Sequence, residues 1–398
     1  MVKEISELSW MIGGPQGSGV DSSANTFAQV LARNGYFIYG KREYHSNIKG
    51  AHSYYQIMAS TKPVNSSIDG VHILATFDDE TIHLHTFEIL KDGALLLDSE
   101  YKGDITRDDI LVVKIPYVQI IREIGEKFGE RDILKLMVMK NVISVAVSLG
   151  LIGIDFIYFE KALKSIFSGR RAKLAPMNID CGKISYEYGK KQCKEYLYTL
   201  KKAPTDFINR RVLTTGNTTI AIAKVAAGCR FQSYYPITPA SDESVYLEDH
   251  PEYGIVVVQT EDEIAAIASA IGASISGARS STSTSGPGFC LMAEGIGWAG
   301  MNEVPVVVVN YQRGGPSTGL PTRNEQADMR FALHIGHGEF PRIVISPGDI
   351  EDAFYDTIDA FNYAEKYQLP VILLTDRAIA NTLQTVPIFN PKNTIIDR

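Results

Sequence analysis

Cysteine is scarce in this chain of 398 residues, with four in all: Cys181, Cys193, Cys229 and Cys290. None belongs to a CxxC pair, and their spacing fits neither a ferredoxin-type cluster nor a structural zinc site. Iron–sulfur chemistry, if the protein takes part in any, must then come from a partner chain. There is no run of about eighteen apolar residues, so no membrane-spanning helix is expected. The opening MVKEISELSWMIGG lacks a basic stretch followed by a long apolar one, and does not read as a signal peptide. Positive charge is not in excess: 39 Lys and Arg stand against 46 Asp and Glu, a net charge of −7. That balance argues against a nucleic-acid surface. Internal repeats and low-complexity tracts are also missing. The expected compartment is the cytoplasm, with no nucleic acid and no membrane among the partners.

What is present describes an ordinary globular chain, 45% hydrophobic and 21% charged. Its length predicts two or three domains. Leu8 to Gly14 reads as a buried strand ending in glycine. A helix with apolar positions at Val20, Ala24, Phe27, Ala28 and Leu31 follows. Further strands are expected at Gly35 to Gly40, Val71 to Phe77 and Ala94 to Leu97, and helices at Tyr117 to Lys127 and Ile133 to Leu149. This alternation predicts an α/β domain with a largely parallel sheet over residues 1–200. Residues 201–211 (KKAPTDFINRR) read as a linker. A second α/β domain, again mainly parallel, is expected over 212–383. Its predicted strands include the apolar run before YPITP, Ile255 to Val258, Arg279 to Ser285, Val304 to Val309, Ile343 to Ile345 and Val371 to Leu374. Residues 384–398 form a proline-spaced tail.

The glycine-rich turn Gly13-Gly14-Pro15-Gln16-Gly17-Ser18-Gly19 joins a strand to a helix. It fits neither the dinucleotide spacing, because Ser22 stands where the third glycine belongs, nor the phosphate-loop spacing, because Val20 follows Gly19. Tight strand–helix packing and anion binding at the helix N-terminus both remain open. His83 and His85 would share one face if they lay on a strand. No third ligand is fixed by spacing, so no metal is assigned to this chain. His45 and His52 receive no chemistry either, and His334 and His337 follow a glycine- and proline-rich loop that could approach a partner.

The most informative stretch is Tyr234 to Glu243, YYPITPASDE. Pro236 and Pro239 stiffen a strand end that presents the Thr238 hydroxyl, with Ser241 or Asp242 placed to cap the next helix. Downstream, Glu261, Asp262 and Glu263 open an Ala-rich helix, where carboxylates are favoured by the helix dipole. Ser283 to Phe289 (STSGPGF) runs a polar strand into a Gly-Pro-Gly turn. Arg313 to Arg323 (RGGPSTGLPTR) places an arginine at a strand end before a glycine- and proline-rich loop. A guanidinium there offers a fork to a carboxylate.

YPITP followed by ASDE, together with TSGPGF and RGGPSTGLPTR, resembles the alpha subunit of the 2-oxoacid:ferredoxin oxidoreductases, which depend on thiamine diphosphate. The GGxxGSG turn and EYHSNIKGAHSYYQI look like the gamma domain of the same enzymes, here fused ahead of the alpha domain. The resemblance implies a gamma-type module over 1–200 and a pyrimidine-binding domain over 212–383. It implies that Glu263 is the buried catalytic glutamate bonded to the aminopyrimidine. Pro236, Thr284, Ser285 and Gly286 would lie against the cofactor. Tyr235, Thr238, Arg313, Thr318 and Thr322 would form the substrate site, with Arg313 on the 2-oxoacid carboxylate.

The family pattern is incomplete in this sequence. No GDG motif occurs, so the resemblance places the diphosphate, Mg2+ and a [4Fe–4S] cluster on a separate beta subunit. Coenzyme A and ferredoxin are the other expected partners, in a heterodimer or a dimer of heterodimers. Larger alpha subunits carry a transketolase-C-like domain further on, so either this form lacks it or the sequence is a piece. Three rivals stay open: another thiamine-dependent enzyme such as an indolepyruvate-specific relative or a decarboxylase, a scaffold subunit that keeps only the fold, and a nucleotide-binding protein acting through the Gly13 turn. The preferred 2-oxoacid is not legible.

Overall fold

The computed structural model describes residues 3–44, 50–193, 195–204, 210–390 and 395–397. His45 lies outside them. The chain divides into two compact units, Met1–Leu213 and Thr214–Arg398.

In the first unit, six strands lie in the order Leu111–Ile115, Ile89–Asp98, Val71–Thr76, Glu7–Pro15, His52–Ser60 and Phe37–Tyr44. Glu7–Pro15 runs parallel to Val71–Thr76 on one side and antiparallel to His52–Ser60 on the other. Three of the five pairings are parallel, as the alternation predicts, and the two made by His52–Ser60 are antiparallel. The antiparallel half arises because His52–Ser60, which the sequence reading assigns to no strand, pairs in register with both Glu7–Pro15 and Phe37–Tyr44. Trp10 anchors the core: its indole stacks on Phe27 with ring centroids 4.3 Å apart, and its Nε1 donates to Ser148 Oγ at 2.9 Å. Both rings are fully buried, each burial being worth about 1.5–3 kcal/mol. The helical run Ile133–Ile152 is long and apolar enough to cross a membrane by length and composition, yet 61% of that window is buried inside the protein, the pattern of a core helix.

His83 and His85 lie on the helix Asp79–His85, not on a strand. Asp78 caps that helix, its carboxylate accepting from Thr81 N at 2.9 Å. Two residues apart on a helix point to different sides, so His83 is exposed and His85 is buried. The His85 ring instead meets His52, Nε2 to Nε2 at 2.9 Å, and its Nδ1 lies 2.7 Å from Glu88 Oε1. At the glycine turn, a Cβ on Gly19 would collide with the Asn141 amide, and Gly19 has φ 102°. Close packing and left-handed backbone account for glycine there. The expected linker is partly structured: the Tyr36 hydroxyl donates to Lys201 O at 3.0 Å, and Ala203 is buried.

The second unit is doubly wound. Six strands run parallel in the order Val256–Gln259, Phe231–Tyr234, Ser280–Ser285, Val306–Gln312, Pro370–Asp376 and Ile343–Ile345. Val306–Gln312 and Pro370–Asp376 are buried at every position, as central parallel strands must be. Separate apolar clusters form around Val307, Val309 and Leu373 and around Val306, Val308 and Ile372, which alternate along the same strands and so cover opposite faces of the sheet. From Phe231–Tyr234 the chain first goes to one neighbour, Val256–Gln259, and then to the other, Ser280–Ser285. That reversal is a topological switch point, where open parallel sheets leave a crevice at their carboxyl ends.

Candidate active site

Four segments leave the carboxyl ends of neighbouring strands in the second unit's sheet: 235–240, 260–263, 286–289 and 313–328. The first and third follow the two strands that flank the switch point. Tyr234 pairs with Ser283, and Ser285 pairs with Tyr311, so their exits are side by side.

Glu263 opens the helix Glu263–Ile275, and Asp262 caps it by accepting from Ala265 N at 2.7 Å. Asp262 is thus the helix-end carboxylate, and Glu261 lies outside, exposed. Glu263 is 6% exposed. Its carboxyl lies under the Gly-Pro-Gly turn: a Cβ on Gly288 would stand 2.5 Å from Glu263 Oε1. No other side chain among the described residues hydrogen-bonds it. Burial pushes the Glu263 carboxyl above its ordinary range. Its own backbone N–H and the Arg313 charge pull the other way, and Asp262 adds to the rise.

Arg313 follows the strand Val306–Gln312 and is 7% exposed. Its Nη1 donates to Thr238 O at 2.7 Å and its Nη2 to Thr318 O at 2.9 Å. One guanidinium therefore joins the YPITP segment to the RGGPSTGLPTR loop. The Thr238–Pro239 and Gly315–Pro316 peptides are both cis. Asn217 Nδ2 holds the carbonyl of Pro239 at 3.0 Å. The helix after it, Ser241–Glu248, has Ala240 at its N-cap and no side-chain cap. Neither Ser241 nor Asp242 does the capping the sequence suggests: the Ser241 hydroxyl donates back to Ile237 O at 3.1 Å.

Thr238, Arg313 and Thr318 are thus brought together directly, and Glu263 and Thr284 meet beneath Gly288. Thr284 and Ser285 are fully buried, and the Ser285 hydroxyl donates to Tyr311 O at 2.7 Å. Gly286 is half-buried beside the Asp328 carboxylate. Tyr235 and Pro236 are exposed, whereas Thr322 is buried within its loop. Asp328 is fixed by Asn310 Nδ2 at 3.0 Å, and Arg377 reaches Asn324 Oδ1 at 3.0 Å, so one side chain of the strand Val306–Gln312 and one of the helix Arg377–Asn381 brace the loop.

Sequence reasoning missed the largest polar feature near these loops. Lys224 and Glu243 form an ion pair with both side chains fully buried. Ser283 and Tyr311 also donate to the Glu243 carboxylate, Tyr311 at 2.7 Å. The available signal was Lys224 itself, the one charged residue in the apolar helix Gly216–Ala226, GNTTIAIAKVA.

A doubly wound sheet with a nearly buried carboxyl beside its switch point is the kind of α/β domain that binds a ligand in that crevice. A family model described as pyruvate flavodoxin/ferredoxin oxidoreductase, thiamine diP-binding, matches residues 222–398. A second, pyruvate ferredoxin/flavodoxin oxidoreductase, matches 9–188. The chain is 42% identical to a 2-oxoacid:ferredoxin oxidoreductase subunit alpha from Sulfolobus sp., over 96% of its length and 66% of that protein. It is 39% identical to 2-oxoacid:ferredoxin oxidoreductase 1, subunit alpha, from Aeropyrum pernix, over 98% of its length and 67% of that protein. Among solved structures it resembles the 2-oxoglutarate:ferredoxin oxidoreductase of Magnetococcus marinus, which holds 2-oxoglutarate, coenzyme A and succinyl-CoA. The TM-score is 0.87 at 32% identity, over 99% of this chain and 68% of that one. The chain belongs to the 2-oxoacid:ferredoxin oxidoreductase family, and it spans about two thirds of the length of these relatives.

Proposed function

We propose that this chain is the alpha-type subunit of a 2-oxoacid:ferredoxin oxidoreductase and supplies the pyrimidine side of a thiamine diphosphate site. In this reading residues 1–200 are a gamma-type module, 201–211 a connection and 212–383 the pyrimidine-binding domain. The reaction is oxidative decarboxylation: a 2-oxoacid and coenzyme A give acyl-CoA and CO2, and a pair of electrons passes to ferredoxin.

The observation that carries the proposal is Glu263. A carboxyl with its pKa raised by burial stays protonated further toward neutrality and can donate to a ring nitrogen. It has no other side-chain partner among the described residues, and the absent Cβ of Gly288 lets the backbone there lie directly against it. Those features fit an aminopyrimidine. Thiamine diphosphate, when bound, supplies the carbon that adds to the 2-oxo carbon and the sink for the electrons left behind by CO2. Glu263 would hold a proton at the pyrimidine nitrogen and orient the ring. Thr284, Ser285 and Gly286, with Pro236 across the crevice, would form its seat.

Arg313 would hold the 2-oxoacid carboxylate. Its guanidinium is nearly buried, so a charge-assisted bond there would be strong. The Thr238 and Thr318 carbonyls fix its position before substrate arrives. Tyr235, Thr238, Thr318 and Thr322 would shape the pocket around it. The carboxylate leaves as CO2, so this contact must orient it without over-stabilising the ground state.

The diphosphate, Mg2+ and a [4Fe–4S] cluster would sit on a beta subunit. The surface of the second unit supports such a partner. After Glu263 its helix carries no charge, and its outward positions are Ile264, Ala268, Gly272 and Ile275. Leu291, Trp298 and Met301, on the helices Gly286–Leu291 and Ala293–Met301, are also exposed. The test is reconstitution. The chain alone should be colourless and inert, and co-expression with a beta subunit should give 2-oxoacid- and CoA-dependent reduction of a viologen dye. Turnover by the chain alone would overturn the division of labour.

A further inference from the structure

We propose that Glu243, through Lys224, Ser283 and Tyr311, sets the relative placement of three of the four segments that carry the candidate site, 235–240, 286–289 and 313–328. The inference rests on the function proposed above for those loops. Glu243 lies on the helix that continues directly from YPITPA. Its Oε2 accepts from Tyr311 at 2.7 Å, and Tyr311 lies on the strand Val306–Gln312, two residues before Arg313. Both of its oxygens lie within 3.0 Å of the Ser283 hydroxyl, three residues before the Gly286 turn. One carboxylate thus touches the element leading into or out of each loop.

The network is complete. Lys224 Nζ donates to Glu243, to Gln232 Oε1 at 2.9 Å and to Ser283 Oγ at 2.9 Å, which uses its three hydrogens. Gln232 Nε2 donates to Ser244 Oγ and Ser283 Oγ, each at 3.1 Å. Lys224, Gln232, Glu243, Ser244 and Tyr311 are all fully buried. Burial beside Glu243 holds the Tyr311 phenol well above its ordinary range, so it stays a donor. Apolar residues of the same volume would hold the fold at least as well, since desolvating two charges is costly. What the polar network adds is direction, because each hydrogen bond admits one alignment of helix and strand.

The experiment is amide hydrogen exchange by mass spectrometry on the full chain. Tyr311→Phe removes one hydroxyl and should quicken exchange across 313–318 by at least about tenfold, the usual worth of a hydrogen bond to a charged group. Residues 286–289 should change little. Ser283→Ala should do the reverse, and Glu243→Gln should loosen both together with 235–240. With the beta subunit present, Tyr311→Phe should raise KM for the 2-oxoacid more than it lowers kcat. Uniform quickening across the second unit, or no change at the loops, would mean a merely structural role and overturn the proposal. Should Glu243→Gln fail to fold, the two milder variants still decide it. A wild-type complex inert toward every 2-oxoacid would instead sink the functional reading, while the exchange pattern would judge the positioning role independently.

Discussion

Replacing Glu263 by glutamine changes one atom and removes both the charge and the acid. The side chain keeps its length and stays under Gly288, so packing is preserved. Loss of a positioned acid–base group typically costs roughly two to four decades in rate. The assay is proton–deuterium exchange at C2 of thiamine in the reconstituted complex, read before and after the substitution. Stability should move the other way. The folded carboxyl has a raised pKa, so the unfolded chain gives up its proton at lower pH. That difference weakens the native state progressively as pH rises through the unfolded and then the folded value. Glu263→Gln removes the penalty, so its Tm should exceed that of the wild type at pH 7 and match it below about pH 4. Glu261→Gln, at an exposed position, should lose less than about tenfold in rate. An equal loss for the two variants, or a lower Tm for Glu263→Gln at pH 7, would refute the assignment.

Other outcomes follow from the same geometry. Arg313→Ala should weaken binding of every 2-oxoacid alike by about ten- to a hundredfold, measured as kcat/KM on small, branched and acidic substrates. Arg313→Lys should recover only part, because it keeps the charge and loses the fork. If Arg313→Ala reorders the substrates and spares the best one, the carboxylate contact belongs to Arg323. Gly288→Ala would drive a methyl into Glu263 and Thr284, so it should cost activity more than tenfold with a Tm loss of a few degrees. Asp356 on the helix Ile350–Tyr367 is pushed up to about 6 by burial, with Asp352, Asp359 and Asp349 adding to it. Asp356→Asn should therefore raise Tm at pH 8, where the wild-type residue pays for its charge, and leave it unchanged at pH 3. A Tm gain that is the same at both pH values would rule out that origin.

The parallel strands of the second unit were legible because unbroken apolar runs such as Val304 to Val309 have few other solutions. Ser280–Ser285 was legible too, since a polar strand ending in Gly-Pro-Gly still carries strand punctuation. His52–Ser60 was not, because its order comes from two partners distant in sequence and not from its own pattern. The element holding His83 and His85 was left open, although Asp78-Asp79-Glu80 is a helix start, a signal that outweighs the HxH spacing. The resemblance assigned Glu263, Thr238 and Arg313 to one site, but nothing local showed that Arg313 would bond backbone carbonyls of two loops. Glu243 was hidden for a similar reason: its partners lie 19, 40 and 68 residues away.

The Lys224–Glu243 pair also constrains how this sequence can drift. Losing either member alone would strand a buried charge, at a cost of about 3–5 kcal/mol. A domain with roughly 5–15 kcal/mol in hand spends much of its reserve on such a step. Replacing both together would cost far less. The two positions therefore form a single heritable unit, reachable from other sequences only by paired change or by a history in which some other mutation had first made the protein more robust.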